Sequence, residues 1–377
     1  MAFHLLIQTN SPGELTAWVT PVLSRIQQHH PNVETWIFLT PCQYASGQEV
    51  AMAELLPTVT KVFSATETLR HFLQPGIPIT SQEDRKGAIL FLGGDPLYTK
   101  LLSLKYDLPA YGYAHHNRSL GWRMTTLCQS EIGDLMATSV QAFLDKKPRK
   151  APDDTKRITF FSGSRPGHFS AYFPLLVKTL WLIYDKHPDL MLQIQLSRFI
   201  DPTLRHHLLN QNPLPPSAVL TPASAGLSTL ASSDLLVTVP GTNTAEAMYL
   251  GIPMIVSIPL NWPHLIIFDG LLGILGKVPM LGTLLKRLVI LILKHKKRFY
   301  ALPNMRAKRQ IVPEHVEIVV PETLAKRVLE KVEDPDWLDK TKTALMAMGE
   351  PSWRPADLLI QYVLFGSLIH ELDQKRS

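Results

Sequence analysis

The chain has 377 residues, enough for two domains of ordinary size, and 45% of them are hydrophobic, as in a globular protein. Its 30 prolines and 20 glycines act as punctuation, with no low-complexity tract and no solenoid repeat, and two widely separated cysteines, Cys42 and Cys128, argue for a reducing compartment and against a zinc site. The net charge of +6 comes from one segment: Lys277 to Arg309 holds ten Lys or Arg and no Asp or Glu, leaving the rest of the chain at −4, and because this segment is also the most apolar it favours an anionic membrane surface over nucleic acid.

Met1 to Ile7 has no basic leader region and reads as a first strand, not a signal peptide. The turn Asn10-Ser11-Pro12-Gly13-Glu14-Leu15 follows, then a helical pattern through Trp18, Val19, Val22, Leu23 and Ile26. Open α/β sheets bind ligands at such strand exits. Val33 to Leu39 reads as strand two, whereas Leu55 to Phe63 and Glu67 to Leu73 carry no clear period. Ala88 to Leu92 is a buried-type strand that ends in Gly93-Gly94-Asp95-Pro96. Asp95 therefore sits at the carboxyl end of a central strand, where α/β enzymes place catalytic groups. A helix through Leu101, Leu102 and Leu104 and a strand from Ala110 to Tyr113 follow. The next segment, His115-His116-Asn117-Arg118, reads as a polar loop near the cleft, since adjacent histidines do not share a helix face and make poor metal ligands. The proline-marked run from Lys146 to Asp154 is the linker, dividing 1–150 from 151–350.

The second α/β unit opens with a strand from Ile158 to Phe161 and the turn Ser162-Gly163-Ser164-Arg165-Pro166-Gly167, where Arg165 has the planar fork to clamp a diphosphate. A helix from Pro174 to Asp185 and a strand from Leu192 to Leu196 lead to the apolar run Leu235-Leu236-Val237. The turn Thr238-Val239-Pro240-Gly241-Thr242-Asn243-Thr244-Ala245-Glu246 then opens a helix. A small-residue turn at a helix N-terminus is an anion site. Glu246, one turn in, stands where a carboxylate accepts from a ribose diol. The plainer reading is an ordinary turn with a surface Glu and a surface Arg.

Leu265 to Leu293 is apolar but broken by Asp269, Lys277, Lys286 and Arg287, with Val278 to Leu285 its longest charge-free run, far short of the roughly 20 residues a spanning helix needs. It reads as a membrane-surface segment over 262–298: Leu281, Leu284, Leu285, Leu288 and Ile292 share a helix face, and Lys294, Lys296, Lys297 and Arg298 follow at headgroup level. The alternative is a core helix with a solvated basic end. The chain closes with a helix from Pro321 to Val332, a loop holding Trp337 and Trp353, and an amphipathic helix from Pro355 to about Leu372 within 351–377.

Several of these motifs, in order, resemble lipid-A-disaccharide synthase, a glycosyltransferase family of the two-Rossmann GT-B type. The family's Ser-Gly-Asp turn after strand one is similar to Pro12-Gly13-Glu14; its Asp after a buried strand to Gly93-Gly94-Asp95; its Pro-Gly-Ser-Arg turn to Ser162-Gly163-Ser164-Arg165; its Ser-Gly-Thr turn ending in Glu to Pro240 through Glu246. The most specific match is Leu302-Pro303-Asn304 followed by Arg309-Gln310-Ile311-Val312-Pro313-Glu314. The departures are Thr9-Asn10 in place of Gly-Glu, Glu14 in place of Asp, His168 in place of Glu, Gln310 in place of an acidic residue, and the loss of a Gly-His-Pro segment before the linker.

The resemblance implies two Rossmann-like α/β domains facing a cleft, with the C-terminal helix packing back on the first. It implies transfer of an acylated glucosamine from its UDP-linked form to a lipid acceptor at the cytoplasmic face of the inner membrane, with no metal or cofactor. Gly163, Ser164, Arg165, Gly241, Thr242, Asn243, Glu246, Asn304 and Arg309 would bind the UDP-sugar, Asp95 would be the general base, and Pro12, Gly13 and Glu14 would lie at the acceptor. Family members exchange C-terminal segments between subunits, which implies a homodimer. The first-domain departures leave three readings open: a divergent member with another lipid acceptor, a UDP-sugar 2-epimerase-like enzyme, or a non-catalytic peripheral membrane protein.

Overall fold

A computed structural model describes residues 3–42, 45–73, 86–114, 119–146, 155–262, 299–349 and 354–374, and the side chains of the last helix as far as residue 366. The segment with Leu281, Leu284, Leu285, Leu288, Lys294, Lys296, Lys297 and Arg298, and the loop 115–118, lie outside the described residues. The chain forms two compact units, Met1–Asp145 joined by Glu350–Ser377, and Lys146–Gly349.

The first unit is built on β1 (Phe3–Thr9), β2 (Val33–Leu39), β3 (Val59–Phe63), β4 (Gly87–Phe91), β5 (Ala110–Ala114) and β6 (Thr125–Cys128), all parallel in the order β3-β2-β1-β4-β5-β6. Every residue of β4 is buried, because a parallel sheet is covered on both faces and its central strands must be apolar on both. The stretches without a clear period, Leu55 to Phe63 and Glu67 to Leu73, resolve into β3 and the helix Ala65–Leu73, preceded by a short helix Glu49–Glu54. β3 is an edge strand with Thr60 and Lys61 exposed, which explains its weak apolar signal.

The second unit repeats the plan with β7 (Arg157–Phe161), β8 (Met191–Gln195), β9 (Ala218–Thr221), β10 (Leu235–Thr238), β11 (Met254–Pro259) and β12 (Glu314–Glu317), parallel in the order β12-β11-β10-β7-β8-β9. Two elements differ from the sequence expectation. The helix expected from Pro174 begins at Pro166 and runs through Pro174 to Tyr184. An interior proline costs about 3 kcal/mol. Phe169, Tyr172, Phe173, Leu176, Leu180 and Ile183 are buried along one stripe, each contributing roughly 1.5–3 kcal/mol, so burial wins. The expected loop at Trp337 is a helix, Pro335–Met346: Asp334 accepts from the Trp337 N–H at 2.9 Å and Pro335 presets the first turn.

The helix Pro355–Gln374 packs within the first unit, burying Leu359, Ile360 and Val363. Its first turn is anchored by a bidentate ion pair, Arg25 Nε to Asp357 Oδ1 at 2.6 Å and Arg25 Nη2 to Asp357 Oδ2 at 2.8 Å, and by the Ala356 N–H donating to Thr138 Oγ1 at 3.1 Å. Among the described residues no helix is long and apolar enough to cross a membrane. Replacing Asp357 by Ala strands the buried Arg25 guanidinium, and we expect a loss of about 3 kcal/mol, read as a lower urea midpoint for the first unit.

Candidate functional site

In each sheet the strand order reverses once, between β1 and β4 in the first unit and between β7 and β10 in the second. Helices leaving the two strands at such a reversal go to opposite faces, which opens a crevice at the carboxyl ends. All four glycine turns singled out in the sequence stand at these two reversals.

In the first unit the turns after β1 and β4 are stitched together. Gln8, buried in β1, donates from Nε2 to the carbonyls of Gly93 at 2.9 Å and Asp95 at 3.0 Å, and accepts from the Thr99 hydroxyl. Ser11 and Glu14 form a capping box: Ser11 Oγ accepts from the Glu14 N–H at 3.3 Å, and Glu14 Oε2 accepts from the N–H groups of Asn10 at 3.1 Å and Ser11 at 3.2 Å. Burial holds the Glu14 carboxyl above its ordinary range, against hydrogen bonds from the backbone of Asn10, Ser11 and Gly94 that pull it down. Gly93 has φ +130°, and a Cβ there would sit inside the Glu14 carboxyl group. Glu14 thus touches both turns, beside Pro12 and Gly13 of the same capping turn. Asp95 is exposed and caps the helix Pro96–Tyr106, with Oδ1 accepting from the Leu97 N–H at 2.9 Å.

In the second unit the turn Ser162-Gly163-Ser164-Arg165 runs directly into the 19-residue helix Pro166–Tyr184, with Arg165 as its N-cap residue. The sequence placed that helix start further on, and so gave Arg165 no helix dipole to work beside. Gly163 has φ +97°, and a Cβ on it would lie 3.4 Å from Val239 Cγ2, so the turns after β7 and β10 are in contact. The β10 turn opens the helix Asn243–Leu250 with Thr242 as N-cap and Gly241 exposed. Asn243 is buried and bonds back to Thr238 Oγ1, bracing the turn from beneath. Glu246 is partly exposed; desolvation pushes its carboxyl up to about 7, and Arg198 pulls the other way.

Asn304 and Glu314 have a different part. Asn304 is fully buried, and its amide makes four hydrogen bonds inside the protein: Nδ2 to Val312 O at 2.8 Å and to Glu314 Oε1 at 2.7 Å, Oδ1 from the N–H groups of Ile311 at 2.6 Å and Val312 at 3.0 Å. That exhausts the capacity of the side chain. Glu314 also accepts from the N–H groups of Tyr300 and Ala301 at the start of the helix Leu302–Ala307, and the Leu302 N–H donates to Thr244 Oγ1 at 3.3 Å. The motif is a clasp behind the β10 turn. Arg309 is exposed, two residues past that helix.

Three contributors escaped sequence reasoning. Gln8 reads as one more strand residue. Ser162, named in the sequence only as part of its turn, is buried at the second reversal, and its hydroxyl has no hydrogen-bond partner among the described residues. Arg198 lies in the loop after β8, and nothing local marks it. A buried polar residue in an apolar strand end was the available signal for the first two.

A family model for lipid-A-disaccharide synthetase matches residues 132–347, more than half of the chain. The chain belongs to the lipid-A-disaccharide synthetase family. The matched span takes in Arg165, Gly241 to Glu246 and the Asn304–Glu314 clasp, while Pro12 to Glu14 and Asp95 lie outside it. A comparison with curated proteins finds no match. The chain is similar in structure to the UDP-GlcNAc 2-epimerase of Neisseria meningitidis solved with UDP-GlcNAc (TM-score 0.54, 14% identity, covering 96% of this chain and 99% of that one). It is also similar to the S. aureus protein MnaA solved with UDP (0.52, 12%, 97% and 96%) and to the calicheamicin glycosyltransferase CalG4 (0.52, 13%, 96% and 98%). At such identities these likenesses carry the fold, two Rossmann-like α/β domains of GT-B type. The lipid-A-disaccharide synthetase family brings with it the reaction class, glycosyl transfer from a UDP-sugar.

The raised Glu246 carboxyl has a consequence for stability. Between the ordinary carboxylate pKa of 4.5 and about 7, the unfolded chain has released this proton while the folded unit keeps it. Glu246 therefore contributes a stability loss as pH rises through that window, flat on either side. Glu246→Gln is expected to remove this slope in urea titrations of the second unit from pH 4 to pH 8.

Proposed function

We propose that this family member transfers an acylated glycosyl group from a UDP-sugar to a membrane lipid acceptor. The observation that carries the reading is the second-unit reversal, where two contacting turns, two helix N-termini and Arg165 converge beside a carboxylate one turn into its helix. The helix N-termini and the Arg165 fork match a diphosphate, with Gly163, Ser164, Gly241 and Thr242 as its backbone cradle. Glu246 accepts from the ribose hydroxyls. Asn243 and Asn304 hold this turn in place from within, and exposed Arg309 lies close to the clasp as a further contact for the anionic donor.

The first unit takes the acceptor at Pro12, Gly13 and Glu14. Asp95 removes the proton of the attacking hydroxyl; its oxygen bonds to the anomeric carbon as the bond from that carbon to the diphosphate oxygen breaks, and the charge leaving on UDP is met by Arg165 and the helix dipoles. Exposed apolar side chains around the Asp95 helix support a lipid acceptor. Leu97 and Leu104 lie on it, Leu69 and Leu73 on the adjoining helix Ala65–Leu73, which meets it through the Phe72–Tyr98 ring contact, and Trp122 lies near Lys100. These exposed side chains and, separately, the basic apolar sequence 262–298 each suit a peripheral position on an anionic membrane, and a homodimer is compatible with the family.

Asp95→Asn tests the mechanism cleanly, because Asn is as good a helix cap as Asp. Turnover with acylated UDP-glucosamine and a lipid acceptor should fall by about 10²–10⁴-fold, with UDP affinity by calorimetry unchanged. Absence of UDP binding by the wild type at millimolar concentration would remove the reading. The membrane part is tested separately: Leu69→Glu with Leu73→Glu should reduce co-sedimentation with anionic liposomes.

A further inference from the structure

Three strand exits of the first unit meet at Gly94. β1 pairs with β2 on one side and with β4 on the other, so the chain leaving each of them emerges at one edge of the sheet. Gly94, at φ +88°, lies where they converge. A Cβ on it would stand 2.7 Å from Thr40 Oγ1, 3.0 Å from Gln8 Nε2 and 3.1 Å from Asn10 Nδ2. Asp95 is the next residue in the chain.

The three polar groups around Gly94 differ in what occupies them. Thr40 is buried, and its hydroxyl donates to the Thr9 carbonyl at 3.4 Å. Gln8 is buried, with Nε2 spent on the carbonyls of Gly93 and Asp95 and Oε1 on the Thr99 hydroxyl. Asn10 is half-buried, and among the described residues its side-chain amide has no hydrogen-bond partner; only its backbone N–H is engaged, by Glu14 Oε2 at 3.1 Å. An amide that served the turn alone would be spent inside it, as that of Gln8 is. Asp95 is divided between two tasks. Its Oδ1 accepts from the Leu97 N–H at 2.9 Å, and Oδ2, with no partner among the described residues, is the oxygen open to a proton. The other ionisable groups on these exits, among the described residues, are Glu14 and Cys42.

We propose that Asn10 touches the acceptor: its amide N–H donates to the oxygen of the attacking hydroxyl and holds that hydroxyl against Asp95. This rests on the reading of Asp95 as the general base. As the proton passes to Asp95, negative charge gathers on the acceptor oxygen before its bond to the anomeric carbon is complete. A donor fixed at that oxygen stabilises the charge and lowers the cost of removing the proton. The group recognised in this way is an uncharged alcohol of the acceptor headgroup. A neutral amide suits the task, and position 10 is where the chain departs from the acidic residue of the family turn. A carboxylate there could not donate, and it would compete with Asp95 for the same proton.

The test is steady-state transfer from acylated UDP-glucosamine to a lipid acceptor, across about pH 5 to pH 9, on the full-length wild type, Asn10→Ala, Asn10→Asp, Asn10→Gln and Asp95→Asn, with UDP affinity measured by calorimetry. Asn10→Ala should lower kcat by about 10²–10³-fold, the worth of one donor at a developing oxyanion, with UDP affinity unchanged. Asn10→Gln keeps an amide donor and should recover part of that loss. Asn10→Asp is nearly isosteric and should lose as much as Asn10→Ala, and the acidic limb of its kcat/KM profile should move to higher pH, because a second carboxylate makes Asp95 harder to ionise. A residue needed only for folding moves no such limb. Wild-type turnover in Asn10→Ala, or an Asn10→Asp profile with its acidic limb unmoved, overturns the proposal, and the reading of Asp95 stands if Asp95→Asn is still impaired. Wild-type turnover in both Asn10→Ala and Asp95→Asn overturns the proposal and that reading together. A wild type that binds UDP and transfers to no lipid acceptor overturns the acceptor reading of the first unit and this proposal with it.

Discussion

Parallel strands joined by right-handed crossovers bring every strand exit to one edge of the sheet, and a single reversal of strand order leaves one gap between the covering helices. Nearly everything distinctive in this protein follows from that constraint acting twice. The reversal at β1 and β4 gathers Gln8, Glu14, Gly93, Gly94 and Asp95; the one at β7 and β10 gathers Ser162, Gly163, Arg165, Gly241 and Glu246. The glycines are there because backbone must pass close to backbone or side chain at these exits. Gly93 leaves room for a carboxylate, and Gly163 lets two turns touch.

The two reversals differ in what holds them. In the first unit the turn is braced by its own side chains, Gln8 reaching across two strands and Glu14 closing a capping box. In the second unit the brace comes from distant sequence: Asn304 and Glu314 lock the 300–314 segment into a clasp, and Leu302 fastens the clasp to Thr244. The chain's most family-like stretch is thus chiefly a scaffold for the neighbouring turn. A buried amide with four satisfied hydrogen bonds tolerates almost no replacement, since any other side chain leaves several backbone groups unpaired.

Charge is distributed along the same lines. Glu14 and Glu246 are both carboxyls held above their ordinary range by desolvation, one offset by backbone N–H groups and the other by Arg198. Asp95 stands apart from them, exposed at a helix N-terminus. Three carboxyls at strand exits therefore have three distinct environments, which is how a fold gives chemically identical groups different tasks.

Local pattern determined a good deal on its own. The apolar runs of β1, β4, β7 and β10, the glycine turns at their ends, and the existence of a final amphipathic helix are all readable because each depends on residues a few positions apart. The same locality explains the misreadings: Pro174 looked like a helix start because the buried stripe that carries the helix past it is a tertiary fact, and Trp337 looked like a loop residue because its cap, Asp334, draws its value from the packing that follows. Only the tertiary structure decided which strands are neighbours, that the Asn304 amide is spent inside the protein, and that the charge of Arg198 bears on Glu246, 48 positions further along the chain. Strand order and charge proximity arise from contacts between segments far apart in the chain, and no periodicity within a single segment records them.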